Sequence, residues 1–218
     1  MIPPVDLVVP VKVLTLAKSR LRAGRADGAA AHRRLVLAVT MDTIAAAAAA
    51  PGVRKVLAIC SDPVATAVLR EHGVPVVADE PDAGLNAALR HGARQLLAAD
   101  PAAVTGALQA DLPALRPAEL SAAVAAALAA FGAAGRAFCP DRAGTGSTLL
   151  LAAPGVDLDP RFGAGSARAH AESGAVPLNG PWPSLRCDVD TEADLAQAAR
   201  LGLGPRTTAA LAGTRRAS

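Results

Sequence analysis

Apolar and polar positions alternate along this chain between two rhythms: short, wholly apolar runs, and longer alanine-rich stretches with helical spacing. Residues 6–12 read as a first buried strand ending in Lys12. A helix over 33–50 is closed by Pro51-Gly52. Residues 55–60 form a second strand, stopped by Ser61-Asp62-Pro63, with a helix at 64–72 and a short strand at 74–78 behind it. A polar turn at 79–84 opens a helix over 85–94, and a central strand at 104–110 precedes an alanine helix at 117–130. This alternation predicts an α/β fold with a mostly parallel sheet and right-handed crossovers.

The second part is less regular. Strands at 136–139 and 148–152 flank the stretch 141–147, a short helix covers 167–173, a strand leads to Asp188, and a helix spans 192–201. His170 reads as a helix-surface histidine. Residues 204–218 read as a loose basic tail. With no repeat or linker in view, one domain over 1–218 is expected.

Composition narrows the function. Of 218 residues 52% are apolar, largely alanine, which predicts a helix-rich, closely packed core. A net charge of +3, with only three phenylalanines and one tryptophan, is too little for nucleic acid and suits a small anionic ligand. Cys60, Cys139 and Cys187 are far apart with no CxxC, which argues against a disulfide framework or structural zinc. No signal-peptide pattern opens the chain, and its apolar runs are too short to span a bilayer, so a soluble cytoplasmic protein is expected.

Three constellations carry candidate chemistry. The first is acidic. In Gly106-Ala107-Leu108-Gln109-Ala110-Asp111-Leu112-Pro113 an apolar run ends in one acid, and proline turns the chain away. That delivers a carboxylate to the carboxyl edge of a parallel sheet, where open α/β folds bind ligands. Asp188 and Asp190, one residue apart, answer it, and Thr191 can cap the helix that follows. Asp111, Asp188 and Asp190 are therefore candidate ligands of a divalent metal on a nucleotide, since magnesium takes one or two carboxylates with water and phosphate. The bland alternative is a set of helix caps.

The second is cationic: Lys12, Lys18, Arg20, Arg22 and Arg25 follow the first strand and could offset a triphosphate, although the chain has no GxxxxGK[ST]. The third is glycine-rich: Gly144-Thr145-Gly146-Ser147-Thr148 and Arg161-Phe162-Gly163-Ala164-Gly165-Ser166 can present backbone N–H groups and hydroxyls to an anion. Arg161, Arg168 and His170 nearby favour an anionic substrate. The turn at 84–89, with Asn86, is a candidate base or ribose contact, or Asn86 simply caps its helix.

Taken in order, Val9-Pro10-Val11-Lys12, Ala17-Lys18-Ser19-Arg20-Leu21, Gly84-Leu85-Asn86, Ala110-Asp111-Leu112-Pro113, Gly144-Thr145-Gly146-Ser147-Thr148, the 161–166 loop and Asp188-Val189-Asp190-Thr191 resemble the 2-phospholactate or phosphoenolpyruvate guanylyltransferases of coenzyme F-420 biosynthesis. The resemblance covers nearly the whole chain. It implies a Rossmann-like, three-layer nucleotidyltransferase fold of the glycosyltransferase-A type, GTP as donor, Mg2+ as cofactor and transfer of GMP. It places the acceptor at Thr148, Gly163 and Ser166, the nucleotide at Val11, Lys12, Asn86 and Asp111, and catalytic cations at Lys12, Lys18 and Arg20. The alanine- and arginine-rich composition favours the bacterial acceptor, phosphoenolpyruvate. The wider superfamily's glycine-rich first loop is replaced here by Pro-Val-Lys.

The implied step is attack of an acceptor phosphate oxygen on the α-phosphorus of GTP. The nucleophile is already ionised at neutral pH, so no strong general base is needed. Rival readings are 2-phospholactate, molybdopterin or a sugar phosphate as acceptor, and a non-catalytic nucleotide-binding protein. A homodimer, and hand-over of the diphosphate product to the next pathway enzyme, are expectations about partners.

Overall fold

The computed structural model describes residues 3–11, 28–80 and 83–215. Seven strands form one sheet: β1 Val5–Val11, β2 Val53–Cys60, β3 Val76–Val77, β4 Val104–Leu108, β5 Arg136–Pro140, β6 Ser147–Ala152 and β7 Val176–Pro177, in the order β3-β2-β1-β4-β6-β5-β7. β1 is central. It is buried along its whole length and pairs in parallel with β2 and β4, as the apolar run over 7–11 requires, and its one acid, Asp6, is paired with Arg54. Only β6 breaks the parallel pattern, lying antiparallel to both β4 and β5.

The helices are α1 Gly28–Ala48, α2 Pro63–Glu71, α3 Leu85–Ala99, α4 Pro117–Ala130, α5 Ser166–Glu172, α6 Glu192–Leu201 and α7 Pro205–Arg215. Strand periodicity of two sorts the core into layers. Leu7, Val9 and Leu108 face α1, α2 and α4 on one side, where Met41, Ile44, Leu69, Leu120 and Val124 meet them. Val8, Ile59 and Ala107 face α3 and α5 on the other, against Leu89, Leu96 and Ala167. Gly92 lets α3 pack directly on the sheet, since a Cβ there would come within 2.7 Å of Ile59 and 2.8 Å of Val8. The expected three-layer α/β arrangement is thus what these residues build.

Two expectations fail. No regular strand leads to Asp188: residues 183–189 cross the sheet edge irregularly. Leu185, Cys187 and Val189 still bury their side chains, which is why the stretch reads as a strand. Its backbone, however, is held by isolated bonds, Arg142 N–H to the Arg186 carbonyl at 2.7 Å and Val189 N–H to the Asp111 carbonyl at 3.0 Å. The guanidinium of Arg186 adds bonds to the carbonyls of Pro140 and Asp141 at 3.1 and 3.3 Å.

The loose tail is likewise corrected, because most of it is α7. That helix has no strong apolar stripe, and a polar cap from α1 holds its start. Asp42, 5% exposed, accepts from the N–H groups of Arg206 and Thr207 at 3.2 and 2.7 Å, while Gly204 N–H bonds the Pro113 carbonyl at 2.8 Å. Ala210 and Leu211 then pack on a small cluster around Leu35, Val39 and Leu195. Among the described residues no helix is long and apolar enough to cross a membrane.

Candidate active site

The strand order turns back at β1, whose neighbours are β2 on one side and β4 on the other. Such a switch point leaves a crevice beyond the carboxyl ends of the strands. A cavity of about 540 Å³ opens there, lined by Pro10 at the end of β1 and by Gln109, Ala110 and Asp111 beyond β4. That is the size of a small-ligand cleft.

One wall is acidic. Asp111, Asp141, Asp188 and Asp190 all line the cavity. Asp111 sits on a turn tied down from three elements: its carbonyl takes Val189 N–H, Leu112 N–H donates to Thr43 Oγ1 of α1 at 3.0 Å, and the Pro113 carbonyl takes Gly204 N–H. β4 itself stops at Leu108, short of the expected residue 110, and the proline follows within the turn. Burial, followed by the charges of Asp111, Asp190 and Asp141, pushes the Asp188 carboxyl up to about 7. Asp190 is exposed at the rim. Thr191 caps α6 in a reciprocal box, its hydroxyl accepting from Asp194 N–H at 3.2 Å while the Asp194 carboxylate accepts from Thr191 N–H at 3.0 Å.

The donor set is all oxygen, and gathered carboxylates, of which Asp188 is pushed up to about 7 by burial and its acidic neighbours, call for a cation between them. It therefore fits a hard divalent metal. Among the described residues no three acidic, histidine or cysteine side chains form a closed metal cluster, so the carboxylates would leave coordination positions to a ligand's own oxygens. Asp111 and Asp188 interact most strongly, Asp111 being the largest charge acting on Asp188.

A second wall is built of donors. Thr145, Ser147 and residues 163–166 line it. Asp141, which composition alone does not single out, organises the first loop by accepting from Thr145 N–H at 2.9 Å and Gly146 N–H at 2.8 Å. A Cβ at Gly146 would collide with that carboxylate. Thr145 in turn accepts from Ala167 N–H at 3.1 Å, joining the two glycine loops. Gly163 and Gly165 have φ of +131° and +73°, values that favour glycine. Among the described residues no acceptor meets the N–H groups of Gly163, Ala164 or Gly165. Val36, Val39 and Thr40 of α1 supply a third, largely apolar wall that sequence reading does not anticipate.

The remaining expected site residues fall into distinct places. Gly163 and Ser166 line the cavity; Thr148 does not, its side chain being buried while its carbonyl takes Gln109 N–H at 2.9 Å across the β4–β6 seam. Asn86 also lies off the cavity wall. Its amide is committed to Phe162, accepting from the N–H at 2.8 Å and donating to the carbonyl at 2.9 Å, and so clamps the 161–166 loop. Val11 is buried at the end of β1, and Lys12, Lys18 and Arg20 lie outside the described residues. Arg161 turns to Asp159 at 3.1 Å and Arg168 to Glu172 at 2.7 Å, both on the surface. The three cysteines are free and buried, and burial pushes the Cys139 thiol up to about 11, which suits packing and not nucleophilic attack.

His170 is the sharpest surprise. It is fully buried, not on a helix surface, with Nδ1 2.9 Å from Ser147 Oγ and Nε2 accepting from Arg161 N–H at 3.0 Å. Burial lowers its pKa from 6.5 to about 4; Asp159 opposes the shift and Arg161 and Arg136 reinforce it. The unfolded chain takes up a proton near pH 6.5 that the folded chain refuses until about pH 4. Stability present above the first value is therefore lost as pH falls through the second, by at most about 3 kcal/mol. Asp188, raised from 3.8 to about 7, acts in the opposite sense. Comparing denaturant midpoints of the wild type and His170→Phe across this range isolates the histidine: only the wild type is expected to show its acid loss.

Comparison with known proteins agrees with this geometry. No protein-family model matches the chain. It is 54% identical over 208 residues to a phosphoenolpyruvate guanylyltransferase of Salinispora arenicola, covering 95% of this chain and 93% of that protein. To the phosphoenolpyruvate guanylyltransferase of Geodermatophilus obscurus it is 53% identical over 214 residues, covering 97% and 95%. Among solved structures it resembles a putative nucleotide-diphospho-sugar transferase of Desulfovibrio desulfuricans, with a TM-score of 0.67, 17% identity and coverage of 97% and 95%, a likeness of fold alone. With identity of this order along almost its entire length, the chain belongs to the phosphoenolpyruvate guanylyltransferase family.

Proposed function

We propose that this enzyme transfers GMP from GTP to phosphoenolpyruvate, giving enolpyruvyl-diphosphoguanosine and pyrophosphate, as a cytoplasmic step of coenzyme F-420 biosynthesis. The observation that carries the reading is one cavity at the sheet's switch point with carboxylates on one wall and N–H and hydroxyl donors on the other. A triphosphate with its cation suits the first wall, and a small phospho-acid suits the second. A phosphate oxygen of the acceptor forms the new bond to the α-phosphorus. The bond from that phosphorus to the bridging oxygen breaks, and pyrophosphate leaves with the electron pair.

Asp111 and Asp188 would hold a magnesium ion, with Asp190 as a third, outer carboxylate. Such an ion supplies charge neutralisation on the triphosphate when bound. Gly163 and Ser166 would bind the acceptor, with Thr148 setting the seam beside them. Lys12, Lys18 and Arg20 are proposed to complete the charge compensation at the end of β1. Orientation and electrostatics, without a general base, then account for catalysis.

The test is pyrophosphate release from GTP and magnesium with phosphoenolpyruvate and with each enantiomer of 2-phospholactate. Release with phosphoenolpyruvate is the expected result. Release only with a phospholactate would keep the chemistry and change the acceptor. No release with any of them would overturn the reading.

A further inference from the structure

The backbone of the turn that carries Asp111 takes three hydrogen bonds from other elements, and among the described residues only one of them uses a side chain. Val189 N–H reaches the Asp111 carbonyl at 3.0 Å, and Gly204 N–H the Pro113 carbonyl at 2.8 Å. The third runs from Leu112 N–H to Thr43 Oγ1 of α1 at 3.0 Å. The helix settles the direction of that hydroxyl, because Thr43 Oγ1 lies 2.9 Å from the Val39 carbonyl one turn earlier. A carbonyl only accepts and an N–H only donates. Thr43 therefore gives its proton to Val39 and turns a lone pair to Leu112.

Thr43 and Leu112 are both fully buried, so water does not compete for this bond. Val39 lines the cavity and so does Asp111. One hydroxyl thus ties the apolar wall of α1 to the residue that follows a candidate metal ligand. Consecutive residues are about 3.8 Å apart at Cα, so a shift of the Leu112 amide is passed to the Asp111 carboxylate. Cations differ in how much of such a shift they tolerate. Magnesium demands near-ideal octahedral geometry with short bonds, whereas calcium accepts longer and less regular coordination.

We propose that Thr43 is a positioning residue of the metal site: its hydroxyl holds the Asp111 turn closely enough for magnesium, and so sets the preference of the site for magnesium over calcium. The inference rests on the metal site of the guanylyl-transfer reading above. Thr43→Val keeps the branched shape of the side chain but loses the hydroxyl, which leaves the buried Leu112 N–H unpaired. It should raise the magnesium concentration for half-maximal pyrophosphate release about three- to tenfold and leave the KM for phosphoenolpyruvate within about twofold. Thr43→Ser retains the hydroxyl and should return the magnesium requirement to within about twofold of the wild type. A purely structural role would lower the unfolding midpoint without moving the magnesium requirement.

Calorimetric titration of the substrate-free enzyme is a readout independent of turnover. Magnesium should bind Thr43→Val about three- to tenfold more weakly than the wild type, with calcium weakened by less. An unchanged magnesium requirement in Thr43→Val, no recovery in Thr43→Ser, or equal weakening of both cations would each overturn the proposal. If Thr43→Val does not fold, amide hydrogen exchange of the wild type decides. Slower exchange of the Leu112 N–H on addition of magnesium upholds the proposal, and an unchanged rate overturns it. If the wild type transfers no GMP to any phospho-acid, the parent reading falls. The magnesium titration then decides this one: weaker binding to Thr43→Val than to wild type upholds it, and equal or absent binding overturns it.

Discussion

Asp111→Asn is expected to lower kcat by about 10²–10³, the scale on which enzymes lose rate when one electrostatic contact to the transition state is removed. Asparagine keeps the volume of the side chain, and the turn that carries it is fastened through its backbone by Val189, Thr43 and Gly204. The loss should therefore come from charge and not from collapse of the site. Asp111 is also the largest of the charges raising the Asp188 carboxyl. Its neutralisation removes one of the four carboxylates on that wall, so a cation should bind more weakly. The measurement is pyrophosphate release at rising magnesium concentration, with the unfolding midpoint as a control. Partial recovery at high magnesium would locate the defect in metal affinity. Full turnover by Asp111→Asn would remove this residue from the proposed metal site.

The largest expected effect on stability lies on the far side of α1. Asp42→Ala should destabilise the fold by about 2–3 kcal/mol, combining a lost helix cap with buried donors left unpaired. The carboxylate of Asp42 satisfies the first free N–H groups of α7, Arg206 and Thr207. The segment entering α7 also touches the Asp111 turn through Gly204 N–H and the Pro113 carbonyl. Loosening α7 should therefore reach the Asp111 turn as well. Gly204 has no room to compensate, since a Cβ there would collide with the Asp42 carboxylate. Chemical denaturation of Asp42→Ala and Asp42→Asn tests the argument. Asparagine retains one carbonyl acceptor and should recover part of the loss. An unchanged midpoint in Asp42→Ala would mean that α7 docks by its apolar contacts alone.

Much of this architecture was legible in local patterns. The apolar run of β1, the alternation with alanine helices, and the Asp111-Leu-Pro turn beyond β4 each follow from forces acting within a few residues. The same holds for the Thr191 cap on α6 and for the glycines at 163 and 165, whose left-handed backbone needs no distant partner. The family resemblance was legible too, because it lies in the order and spacing of such local motifs.

The sequence by itself therefore determined the sheet, its layers and which loops carry acids or glycines, since hydrophobic periodicity and turn chemistry are local. Tertiary structure alone decided how those loops are used. It bonded the Asn86 amide to Phe162, buried His170 between two phenylalanines against Ser147, spent Arg161 and Arg168 on neighbouring acids, and capped an otherwise unremarkable tail with Asp42. A polar side chain's role depends on which donor or acceptor it meets once water is excluded. Most of these partners lie tens of residues away or more, set by how elements pack and invisible in the spacing of the chain.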